Sequence, residues 1–373
     1  MQLKNTSLTA LIILLASAAA PFGPNLPALA LPLQVLSQNT DSQQQEADRL
    51  IKQGNRQLNT SKFAAALHSY QQALTIYQSI KDRKGEEHAL NGLGIAYKSL
   101  GDYKQAIDYQ QQSLAIARKI GDQLGESHAL GNLGVAYESL GDYKQAIDYQ
   151  QQSLAIKRKI GDQLGESHAL GNLGLAYESL GDYKQAIDYH QQSLAIKRKI
   201  GDQLGEGASL GNLGLAYKSL GDYKQAIDYQ QQRLAIARKI GDKLGEGQSL
   251  NNLGLSLLYS EKLQAAETAL RAGIEAEESL RAKLGNNDAF KVSIFETQAS
   301  TYSLLQQVLI AEGKTVEALE IAEQGRARAF VELLAQRQRA LPAPLKIQQI
   351  RQIAKQHNAT LVEYSIVRDG LSS

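Results

Sequence analysis

The residues of this chain that could do chemistry are few, and most are copies of one another. Six histidines stand at His68, His88, His128, His168, His190 and His357. Imidazole can ligate a metal or act as a general base, but His88, His128 and His168 recur 40 residues apart. A local metal motif needs two histidines one helical turn apart, so these read as partly exposed helix positions. The chain has no cysteine, which excludes disulfides, thiolate zinc sites, iron–sulfur clusters and a thiol nucleophile carried on it. Gly205-Glu206-Gly207 with Gly211 keeps neither a dinucleotide nor a phosphate-loop spacing and follows no strand. The basic clusters at 157–159 and 197–199 sit beside Asp162, Glu166, Asp202 and Glu206, as solvated, charge-balanced helix ends do. The expectation is a protein with no catalytic residues, no metal and no cofactor.

The elements that would position these residues are written by repetition. The 373 residues carry 40 Lys and Arg against 38 Asp and Glu, a net charge of +2, so a nucleic-acid-coating surface is not expected. Apolar residues at 43% and charged residues at 21% describe an ordinary folded chain. The skew to 17 Tyr and 31 Gly, with no Trp and 1 Met, points to a short text copied several times. Blocks 121–160 and 161–200 differ at only two positions, Val135 against Leu175 and Gln150 against His190. Close copies fill 81–120 and 201–240, and diverged ones 41–80 and 241–280, all in register. A fixed period of this size means a solenoid or array.

Each block predicts two helices. Leu130, Leu133, Tyr137 and Leu140 recur at the spacing of one buried helical face, and Gly141-Asp142 then marks a turn. Tyr143, Ala146, Ile147, Leu154 and Ile160 outline a second stripe, interrupted by Gln150 and by Lys157. The Lys157 slot holds Ala117 and Ala237 in other copies, which places it at the edge of the buried face. Gly54, Gly94, Gly134, Gly174, Gly214 and Gly254 each fall inside a helix. Glycine there costs about 1 kcal/mol against Ala, which predicts close helix–helix approach, with Ala146 facing Gly134. Three ladders of Tyr, led by Tyr97, Tyr103 and Tyr109, predict packing between adjacent hairpins. A single hairpin buries too little to fold alone, so stability belongs to the stack.

The spacing of Leu133-Gly134, Tyr137, Gly141 and Ala146 resembles the tetratricopeptide repeat (TPR). The 40-residue period with Gly-Asn-Leu-Gly is similar to the long-loop form in kinesin light chain and the Leu-Gly-Asn proteins. The likeness covers about residues 43–337, with Gln150 standing where an aromatic is usual. It implies an all-α right-handed solenoid whose first helices line a concave groove for a partner protein or peptide. Carried over position by position, the groove residues are His88, Asn91, Asn132, Val135, Glu138, Asn172, Leu175, Glu178, Asn212, Leu215, Lys218 and Asn252. Side-chain amides there offer both donor and acceptor to an extended peptide. The paired Lys and Asn of carboxylate clamps is missing, so a free C-terminus is not the expected ligand.

The ends divide the chain further. Lys4, the apolar run from Leu8 to Ala20 and the triplet Ala28-Leu29-Ala30 read as a signal peptide over 1–30, cleaved near Ala30. Ala18-Ala19-Ala20 is a competing site that Pro21 disfavours, and an uncleaved anchor is the alternative. The expected location is therefore secreted or periplasmic. Residues 31–42 read as a flexible lead-in, 43–282 as six repeats, and 283–340 as a long capping hairpin. In 341–373, Leu341-Pro342-Ala343-Pro344 reads as a linker, 345–356 as a short helix and 359–367 as an orphan strand. Residues 322–335 and 358–367 are similar to the entrance of the CHAT domain, a caspase-like module that follows TPR arrays in bacteria. That resemblance implies a catalytic His and Cys further on, neither of which this chain contains. The alternative function is thus the regulatory half of a split or degenerate CHAT peptidase, partnered by a separately encoded catalytic segment.

Overall fold

A computed structural model describes residues 30–283, 288–335 and 352. The expected signal peptide up to residue 29, the linker and the strand lie outside the described residues, as does all of the 345–356 helix except 352. Among the described residues the secondary structure is helical throughout, in fourteen helices. They pair as antiparallel hairpins: α1 (Ala30–Asn59) with α2 (Phe63–Ile80), α3 (Arg83–Ser99) with α4 (Tyr103–Ile120), and α5 (Gln123–Ser139) with α6 (Tyr143–Ile160). Then come α7 (Gln163–Ser179) with α8 (Tyr183–Ile200), α9 (Gln203–Ser219) with α10 (Tyr223–Ile240), and α11 (Lys243–Tyr259) with α12 (Leu263–Lys283). A seventh pair, α13 (Asp288–Ala311) and α14 (Thr315–Ala335), ends the stack. Residues 31–42, expected as a flexible lead-in, are instead helical from the start of α1. Pro32 falls in the first turn, where its missing N–H breaks no helical bond, and the Leu and Gln that follow favour helix.

The aspartates of the repeat start the helices. Asp82, Asp122, Asp162, Asp202 and Asp242 each accept from the N–H of the glycine three residues on, at 2.8 to 3.0 Å. Asp102, Asp142, Asp182 and Asp222 do the same from Gln105, Gln145, Gln185 and Gln225 at 3.1 to 3.2 Å. Caps of this kind hold about 1 kcal/mol each. The second helices stop at Gly121, Gly161, Gly201 and Gly241, with φ of 73 to 75°, a conformation glycine enters without strain. Across that stop Arg118, Arg158, Arg198 and Arg238 each pair with a glutamate of the next hairpin at 2.8 Å, which balances the basic helix ends.

The core lies between hairpins. Ile107 and Leu114 of α4 pack with Ala129, Leu130, Leu133 and Ala136 of α5. Leu154 of α6 meets Leu170 and Leu173 of α7, and Ile187 and Leu194 of α8 meet Leu210 and Leu213 of α9. This arrangement is an α-solenoid, as the period requires.

Four details differ from the sequence expectation. Leu140 and Ile160, expected in buried stripes, are 47% and 37% exposed because each stands at the end of its helix, past the packed turns. The tyrosine rings stack chiefly within hairpins, Tyr97 on Tyr109 and Tyr137 on Tyr149 at 5.3 Å, while Tyr137 and Tyr149 also pack, as expected, against the cluster of Ile107 and Leu114 from the preceding hairpin; Tyr223 on Tyr259 joins neighbouring hairpins at 5.4 Å. Gly134 makes room for Gln150, which the sequence did not single out as its neighbour: a Cβ there would sit 2.7 to 2.9 Å from the Gln150 side chain. Lys157 is not at an edge but buried at 8% exposure, with Lys197 alike at 9%.

Candidate binding groove

Successive first helices bring the groove residues together. Asn91 of α3, Asn132 and Val135 of α5 and Asn172 of α7 line one cleft of about 290 Å³, with Ile95, Gly131 and Ala169. Asn212 and Leu215 of α9 and Asn252 of α11 line a second, of about 530 Å³, which Ser300 of α13 closes. The side-chain amides of Asn172, Asn212 and Asn252 make no hydrogen bond among the described residues and are only half-buried. Asn132 is engaged: its Nδ2 donates to Asn91 Oδ1 at 2.8 Å. Asn91 also accepts from Gln110 Nε2 at both Oδ1 and its backbone oxygen, each at 3.0 Å.

The remaining expected residues line neither cleft. His88 is exposed, with Nε2 3.6 Å from Glu87 Oε2. Glu178 pairs with His190 Nε2 at 3.1 Å, so its carboxylate is turned to the hairpin interior. His190, expected to be partly exposed, is 1% exposed because it fills the Gln150 slot against Gly174. Glu138 is half-buried, and that burial raises its carboxyl above the usual range. Leu175 and Lys218 are half-buried on α7 and α9.

The sequence reading missed the residues that the second helices contribute. Gln150 and Lys157 of α6 reach the first cleft between His128 and His168. Gln150 Nε2 donates to Gly131 O at 2.9 Å, and Gln230 repeats this to Gly211 O at 3.2 Å. Burial lowers the Lys157 ammonium, with Asp162 opposing. Burial, and then the charge of Lys157, lowers His128. In the second cleft the missed residues are Arg233, Gln248 and Asn251. For Gln150, Lys157 and Arg233 the signal was present as polar residues on the second helices, while Gln248 and Asn251 lie on the first helix α11. A set of possible metal donors also escaped notice: ligand atoms of Glu87, His88 and Asp122 lie within 4.8 Å of one another, across α3 and the start of α5. Such clusters are common without an ion.

The geometry defines a class: stacked helical hairpins whose first helices share clefts lined by amides. The tetratricopeptide repeat profile matches residues 57–119, 85–159, 125–199, 165–239 and 205–279, and the chain belongs to that family. It is 33% identical over 123 residues to tetratricopeptide repeat protein 28 of Mus musculus and of Homo sapiens. That segment is 32% of this chain and only 5% of either relative. Among solved structures, the chain is similar to a signal transduction ATPase with numerous domains that carries a tetratricopeptide repeat sensor, from Pyrococcus horikoshii. The TM-score is 0.63 at 19% identity, over 77% of this chain and 43% of that one. It is also similar to aspartyl phosphate phosphatase F from Bacillus subtilis, with a TM-score of 0.58 at 16% identity over 92% and 79% of the two chains. Likeness at these identities is one of fold.

Proposed function

We propose that this array is a scaffold that binds a segment of a partner protein along the groove of its first helices, without catalysing a reaction. The observation that carries this reading is the set of half-buried amides of Asn172, Asn212 and Asn252, which line clefts and have no hydrogen-bond partner among the described residues. Polar groups half withdrawn from water and left unpaired are suited to the backbone of an extended segment, which offers a donor and an acceptor at each residue. Val135 and Leu215 supply apolar floor beside them.

The leader-like sequence of 1–30 supports a place outside the cytoplasm. Among the described residues no helix is long and apolar enough to cross a membrane. The test is capture of the partner, identified first by crosslinking and mass spectrometry in the native cell. Replacing Asn172, Asn212 and Asn252 together by Ala is expected to weaken that capture at least tenfold while leaving the helical signal and melting unchanged. Equal capture by the triple variant would refute the reading.

A second reading, the regulatory half of a split caspase-like peptidase, is favoured by the likeness of 322–335 and 358–367 to the CHAT entrance. Reading the gene beyond the codon for Ser373 decides it. A frame encoding the missing His and Cys supports it, and its absence removes it.

A further inference from the structure

Blocks 161–200 and 201–240 differ at seven positions, and four of the changed residues meet in space: Gly207, Ala208, Arg233 and Ala237 line one indentation. Their combined effect is to move a cation. In α6 and α8 the buried cation is Lys157 or Lys197. In α10 that slot is Ala237, and a positive charge stands one helical turn earlier, at Arg233. In the close copies the Arg233 slot is serine, and Ser153 and Ser193 donate to Ser127 O and Ser167 O at 2.7 and 2.8 Å. Gly207 and Ala208 replace Ser167 and His168, which removes a hydroxymethyl and an imidazole from the side on which the guanidinium lies. Gly211 leaves the rest of the room, since a Cβ there would stand 2.9 Å from Arg233 Nη1.

The relocated cation lacks an anion. Arg233 Nη2 donates to Gln248 Oε1 at 2.6 Å, and among the described residues no carboxylate lies within ion-pair distance of it. Asp242 is the anion whose field reaches it, but Asp242 caps α11 through Gly245 N–H at 2.9 Å. A guanidinium has five N–H donors in a planar fork suited to a carboxylate. Withdrawing it from water without a counter-charge is costly. Here it borders the larger cleft, which the half-buried amides of Asn212 and Asn252 also line as further donors.

We propose that the cleft formed by α9, α10, α11 and α13 is a carboxylate site, which takes an Asp or Glu side chain of the segment lying in the groove. This rests on the groove reading above and adds to it what the segment must carry at one fixed place. Arg233 supplies the charge, and Asn212 and Asn252 fix the plane of the carboxylate.

The test is selection from a random peptide library displayed with blocked C-terminal ends, against the full chain and against Arg233→Ser and Arg233→Gln. Serine is the residue of the close copies, and circular dichroism melting verifies that both variants fold. The native chain is expected to select peptides with an acidic residue at one constant position, and both variants to lose that preference. A selected peptide made again with Gln or Asn for its acid is expected to bind the native chain at least tenfold less tightly and the variants equally. Selected peptides without an acidic preference, or an equal loss on native and variant chains, would overturn the carboxylate site and leave the groove reading standing. Acidic preference seen only in libraries with free C-terminal ends would overturn the side-chain assignment. Failure of every chain to select any peptide would overturn both.

Discussion

The side-chain amide of Asn132 donates to Asn91 Oδ1 at 2.8 Å, across 41 residues of a chain whose period is 40. Asn91 stands where the next copies have Gly131 and Gly171, and Gly92 stands where they have asparagine. The exchange of neighbours turns one member of the amide ladder into a clasp between α3 and α5, while Asn172 and Asn212 stay unclasped.

Replacing Asn91 by Ala removes an acceptor shared by Asn132 and Gln110, but leaves Gln110 its bond to the residue 91 carbonyl. A loss of about 1 kcal/mol is expected from chemical denaturation. Adding Asn132→Ala should cost nothing more, because its bond is already gone; full additivity of the two losses would count against the clasp.

Gly254→Ala is expected to destabilise the array although Ala favours helix by about 1 kcal/mol. The new Cβ would lie 2.5 Å from Leu270 Cγ and Cδ2, in a side chain that is fully buried. Overpacking of this kind costs about 1–3 kcal/mol. The melting midpoint should fall, and a rise would show that α11 and α12 can separate freely.

Lys81→Gly is expected to stabilise. Lys81 ends α2 with φ of 61°, in the slot that Gly121, Gly161, Gly201 and Gly241 fill elsewhere. A side chain in the left-handed region costs about 1–2 kcal/mol. The reciprocal Gly121→Lys should lower the melting midpoint by a similar amount.

Glu277 makes the stability of the C-terminal hairpins depend on pH. It is 3% exposed, its Oε1 accepts from the Thr301 hydroxyl at 3.1 Å, and its Oε2 has no partner among the described residues. Burial pushes its carboxyl up to about 7. Because the folded value is the higher one, the folded chain holds the proton more tightly. The contribution is therefore complete below the ordinary carboxylate range and is lost as pH rises through about 7. The loss is on the order of 3 kcal/mol. Glu277→Gln should flatten the melting profile between pH 4 and 8 and raise the midpoint at the alkaline end (the endpoints being about one unit outside the titration). An unchanged profile would place the titration elsewhere.

How much of this was legible depends on which geometry a residue answers to. The hairpins and turns answer to spacing along one helix, and the Gly141 turn and the buried Leu133 read correctly from the sequence, whereas the aspartate caps did not. The groove answers to the packing of one helix on two others. Asn132 and Asn172 were readable as cleft positions because they lie on the first helices, but Gln150 and Lys157 looked like flaws in an apolar stripe, and Arg233 was not singled out. Gln150 shows why: it is 2% exposed, yet its amide reaches a backbone carbonyl of the partner helix. Burial alone does not forbid a polar side chain, only an unpaired one. The glycine ladder predicted closeness correctly but did not name Gln150 as the nearest side chain to Gly134, since the period fixes which positions repeat but not which ones meet.

The apolar clusters between α4 and α5, α6 and α7, and α8 and α9 are built from matching positions of successive copies. Removing or inserting one block therefore exchanges one seam for another of the same kind and leaves the reading frame of contacts intact. With blocks 121–160 and 161–200 so nearly alike, recombination between their coding segments could shorten or lengthen the groove by one unit. The reach of the protein could thus vary between generations without a new interface having to evolve.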